Sequence, residues 1–128
     1  MSTQVLSEYF VNATRKVQPR MTESAAWEDV RALLEWRPRP VDAELLPLAR
    51  EVMARDHLGW WDSLVVAAAR AEGCALLLSE DLRDGAVYGG VTVRDPFRMT
   101  LADKEVKYAS IEAAPSRHRG RGRPRRAR

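Results

Sequence analysis

Apolar positions in residues 3–16, TQVLSEYFVNATRK, recur at helical spacing, with Val5 and Tyr9 in one row and Leu6, Phe10 and Ala13 in another. Glu8 lies between the rows, close to the apolar side, and Pro19 ends the segment. A second helix is predicted over MTESAAWEDVRALLEW, with Thr22 as N-cap and acids in the first turns. Its apolar stripe is Ala26, Val30, Leu33 and Leu34, with Trp27. RPRPV then blocks helix and predicts a short extended piece at Val41. Asp42 is placed to cap a third helix, AELLPLAREVMARD, with Pro47 near enough to its start to be tolerated.

The fourth helix is predicted from Trp60 to Glu72, with Gly73 as the residue that ends it. CALLL (74–78) is a continuous apolar run suited to a strand buried on both faces. LRDGAVYGG reads as a loop with an Asp-Gly turn, and VTV (91–93) as a second strand stopped by Pro96. After Phe97 the pattern decays, and the segment from about residue 115 has the composition of a disordered tail.

The fourth helix and the strand after it raise a chemical question. Twelve helical residues span about 18 Å at 1.5 Å each, and the strand to Ser79 about 20 Å at 3.3 Å each. A reversal at Gly73 therefore brings the end of the strand back beside the start of the helix. Asp62 and the Glu80–Asp81 pair meet at one edge, the carboxyl edge at which parallel α/β sheets take ligands. Clustered carboxylates repel one another unless a cation intervenes, and hard oxygen ligands suit Mg²⁺ or Mn²⁺. From spacing alone a plainer reading also stands: Asp62 as a first-turn acid favoured by the helix dipole, and Asp81 as a turn residue.

Composition narrows the class. Hydrophobic residues make up 45% of 128, enough for a packed core in one domain. The single Cys74 allows no internal disulfide and no paired-cysteine metal site, as in a reducing compartment. No signal-peptide pattern opens the chain, and no apolar run approaches the ~20 residues of a membrane span. A soluble, cytoplasmic protein without membrane contact is expected. The net charge of +3 hides an asymmetry, because seven arginines fall in the last twelve residues and no acid follows Glu112. Without that tail, 14 basic residues face 18 acidic ones, or −4.

More specific signals join these. WWDSLVVAAARAEGCALLLSEDLRDGAVYGGVTVRDPF (60–97) closely resembles the C-terminal half of a PIN domain, and most of all the VapC-like toxin branch of ribonucleases. The shared pieces are an aromatic before DSLVVAAA, a strand ending LLSEDL, the DGAVYGGV loop and a closing DPF. STQVLSEYFVNATRK (2–16) resembles the family's acid-bearing helix. The resemblance implies an α/β fold of three layers, α/β/α, around a parallel sheet. It also implies a Mg²⁺- or Mn²⁺-dependent endoribonuclease that is the toxin of a toxin–antitoxin pair. Glu8, Asp62 and Asp81 match the family's metal-holding, catalytic acids, and Ser79 matches its supporting hydroxyl residue. Glu80 falls at a variable position, and Asp95 stands where the family commonly has asparagine. The implied partners are an RNA substrate, a cognate antitoxin and a second copy of the chain.

The resemblance departs at the front. The family opens with a strand carrying an Asp-Thr-Asn motif, and nothing before Glu8 matches it. Residues 1–97 thus read as a partial PIN-like domain lacking the first strand and most of the second, and 98–128 as an added basic segment. The chain is expected to be N-terminally truncated, through an upstream start or as an inactive remnant, with an unpaired edge on CALLL. Arg15 and Lys16 are candidate phosphate contacts at a helix end. Arg121 and Arg123 lie in an Arg-Gly-Arg-Pro sequence similar to an AT-hook core, and any such tail binds phosphate nonspecifically. The rival expectation is a non-catalytic remnant that binds nucleic acid or an antitoxin.

Overall fold

A computed structural model describes residues 1–99. Helix α1 runs over Thr3–Val11 and passes into a π-helical turn, Asn12–Lys16, so the helix expected to Lys16 changes its hydrogen bonding at Asn12. The Thr14 hydroxyl donates to the Phe10 carbonyl at 2.7 Å, and the Val17 amide reaches back five residues to Asn12. Side-chain competition of this kind for a backbone carbonyl loosens the regular ladder.

Helix α2, Glu23–Leu34, starts where Thr22 was expected to cap it, with Oγ1 accepting from the Ala25 amide at 3.2 Å. Its stripe is only partly covered. Ala26 and Val30 are buried, whereas Trp27 and Leu34 are exposed. Trp27 meets Phe10 of α1 edge to face, with ring centroids 6.5 Å apart.

The extended piece expected at Val41 forms at Arg39 instead. Arg39 bridges Ser2 in parallel: the Thr3 amide donates to its carbonyl, and its own amide donates to Met1, both at 2.9 Å. Pro38 and Pro40 explain the shift, because Arg39 is the one residue of that trio with an amide proton to give. Asp42 accepts from the Leu45 amide at 3.0 Å and so leads into α3, Leu45–Asp56, where Pro47 sits harmlessly in the first turn.

Helix α4, Trp60–Ala71, carries the core. Leu64, Val66, Ala67 and Ala68 pack against Leu45, Ala49 and Val52 of α3, and against Val93 from the sheet. The Ser63 hydroxyl is buried here and donates to the Gly59 carbonyl at 2.8 Å. The helix ends at Gly73, whose φ of +67° is the left-handed conformation that glycine adopts without side-chain strain.

The sheet has three strands, β1 (Leu76–Leu78), β2 (Val87–Tyr88) and β3 (Val91–Arg94), in the order β1-β3-β2. β1 and β3 are parallel, with Leu76 opposite Thr92 and Leu78 opposite Arg94. β2 is antiparallel to β3. The fold is therefore α/β, with the expected parallel pair inside a small mixed sheet. The segment expected as a loop contains β2, joined to β3 through Gly89 and Gly90 at φ +57° and +88°. Positive φ at both central residues gives the turn whose twist suits a two-residue hairpin.

The expectation that CALLL is buried on both faces fails. The strand is confined to 76–78, and Leu78 is 52% exposed. Among the described residues β1 has β3 as its single strand neighbour, so its other backbone edge is open. An apolar slot of about 390 Å³ runs there, lined in part by Ser2, Val5, Val65 and Leu76.

Candidate active site at the carboxyl end of β1

The turn at Gly73 sends β1 back along α4, so the end of the strand arrives beside the first turn of the helix. A cavity of about 150 Å³ opens between them, closed on its third side by α1. Glu8 of α1, Asp62 of α4, and Ser79 and Asp81 after β1 all line it. Residues separated by more than 70 positions in the chain thus share one small space. Glu80, exposed on the same turn, does not line the cavity.

The carboxylates press on one another. The Asp62 carboxyl is held above the usual aspartate range, first by burial and then by the charges of Asp81 and Glu8. Among the described residues none of the three acids forms an ion pair with lysine or arginine. Ser79 holds the turn that carries Asp81, its Oγ accepting from the amides of Asp81 and Leu82, each at 3.3 Å.

The donor set is hard oxygen, the chemistry that suits Mg²⁺ or Mn²⁺. Its geometry is open, because among the described residues no three acids, histidines or cysteines close into a ready ligand group. The cavity brings the acids to a common space without drawing their oxygens onto one point.

Gln4 was not singled out by sequence reasoning. One turn before Glu8 on α1, its Nε2 donates to Glu8 Oε1 at 2.9 Å and to the Trp61 carbonyl at 3.2 Å. Its Oε1 is buried without a partner. The four-residue spacing from Glu8 was the available signal. Trp60 and Trp61 diverge: the first packs partly on the core, and the second lines the cavity and is 66% exposed.

Arg15 and Lys16 stand exposed at the end of the π-helical turn, outside the cavity. Asp95 serves its own turn, accepting from the Phe97 amide at 2.9 Å and pairing with Arg98 at 3.2 Å. Arg121, Arg123 and the rest of the basic tail lie outside the described residues. Among the described residues no helix is long and apolar enough to cross a membrane.

No curated protein matches the chain. The family model of the PIN domain, a fold of nucleases acting on nucleic acid, matches residues 1–88, from the α1 acid through the Asp62 helix and the Ser79–Asp81 turn to β2. A match over that much of the sequence, with those acids gathered at one end of an α/β layer, makes this chain a member of the PIN domain family.

Proposed function

We propose that the chain is a metal-dependent endoribonuclease of the PIN toxin class, with Glu8, Asp62 and Asp81 as its metal-holding acids. The observation that carries this reading is their shared cavity at the carboxyl end of β1, with no described cation to offset them. A Mg²⁺ or Mn²⁺ bound there neutralises phosphate oxygens and makes a bound water more acidic. The protein's part is positional. Gln4 fixes the Glu8 carboxylate, Ser79 fixes the turn of Asp81, and partial burial of Asp62 limits how far its charge is screened by water. The partners of this reading are an RNA substrate, a cognate antitoxin and a second copy of the chain.

Purified chain incubated with RNA in Mg²⁺ or Mn²⁺ tests it. Cleavage is expected, is stopped by EDTA, and falls by about 100-fold or more in Asp62→Asn. Cleavage that survives EDTA, or survives in the variant, rejects the assignment.

A second reading has its own support in the open spacing of the acids. In it the chain is non-catalytic and binds nucleic acid or an antitoxin. RNA binding with no chelator-sensitive cleavage favours it.

A further inference from the structure

The two adjacent tryptophans at the start of α4 have separate fates. Trp60 contributes to the core, while Trp61 leaves a large apolar side chain 66% exposed beside the acidic cavity that it helps to line. Val5 and Leu78, both exposed, line the same cavity. An apolar rim therefore borders three carboxylates. Phosphate is repelled by such carboxylates, whereas the uncharged face of a base is not. Base–aromatic stacking is worth about 1–3 kcal/mol and needs no particular sequence. The Gln4 bond to the Trp61 carbonyl ties this first helical turn to α1.

We propose that Trp61 is a substrate-binding residue that stacks on an unpaired base next to the acidic cavity. The inference rests on the nuclease reading for its substrate, but it is tested without turnover.

The full chain is titrated with a labelled single-stranded RNA octanucleotide in EDTA. Trp61→Ala is expected to weaken binding about 5- to 150-fold, the range that the loss of one stacked base gives. Trp61→Tyr keeps most of the affinity, because a π-face remains. Trp36→Ala leaves affinity unchanged, since Trp36 is 79% exposed but does not line the cavity. In the unaltered chain the RNA quenches indole emission, and Trp61→Tyr removes that quench. Circular dichroism confirms that each variant is folded.

Equal affinity in Trp61→Ala, an equal loss in Trp61→Tyr, or no RNA binding by the unaltered chain overturns the proposal. A Trp61 effect without EDTA-sensitive cleavage overturns the nuclease reading alone. Cleavage lost in Asp62→Asn, with Trp61→Ala binding unchanged, overturns the stacking role alone.

Discussion

Asp62 carries an electrostatic cost that has a definite sign. Its carboxyl is raised by burial, Asp81 and Glu8, so the folded chain holds that proton more tightly than the unfolded chain does. Its contribution to stability therefore declines as pH rises from the ordinary aspartate value through the raised one, and is level above it. Asp62→Asn removes the charge and keeps the shape. We expect the variant to melt at a higher temperature than the native chain at pH 7, and the difference to shrink on acidification through that window. Added Mg²⁺ should raise the melting temperature of the native chain more than that of the variant. Thermal melts across pH, with and without Mg²⁺, check both. Asp84 has the opposite sign: the Asp95 amide and Arg94 hold its carboxyl below the usual range, so its contribution is present at neutral pH and lost on acidification.

The elements divide by how local their causes are. Helix α4 was legible because Leu64, Val66, Ala67, Ala68 and Ala69 form a continuous buried face and because Gly73 ends it with a positive φ. Leu64 is fully enclosed between α3 and the sheet, so Leu64→Ala should cost about 2–5 kcal/mol in a denaturant titration. The β2–β3 hairpin was missed although Gly89-Gly90 between VY and VT is a hairpin signal. Two residues are too short a run to register as a strand, and their pairing depends on β3 being held against β1. The misplacement at Arg39 is similar in kind. The proline pattern marked extended chain, but which residue pairs opposite Ser2 depends on where α1 begins. The uncovered flank of α2 had no sequence signal, because Trp27 and Leu34 fit a buried stripe as well as an exposed one.

Across the whole molecule, charge separates from chemistry. The carboxylate cavity lies in the part of the chain with net charge −4, and seven arginines fall in the last twelve residues. Nonspecific attraction to nucleic acid should therefore come from the tail and specific contact from the cavity. Deleting residues 115–128 should weaken RNA binding and flatten its dependence on salt. The logarithmic slope should drop by at most about 5, at roughly 0.7 for each phosphate contact with a single strand. Binding measured from low to high salt gives that slope, and an unchanged slope would show that the tail makes no phosphate contacts.

Periodicity placed the four helices, and turn chemistry placed the reversal at Gly73, because both depend on neighbours a few residues apart. Those two facts are enough to bring Asp62 and Asp81 to one end of a helix–strand layer. Folding settled what neighbours in the chain cannot encode: the open edge of β1, the antiparallel partner of β3, and the arrival of Glu8 and Gln4 from α1 at the same cavity. Burial and pairing over such distances are properties of packed surfaces. The same leucine is core under a covering element and exposed without one, as Leu78 is.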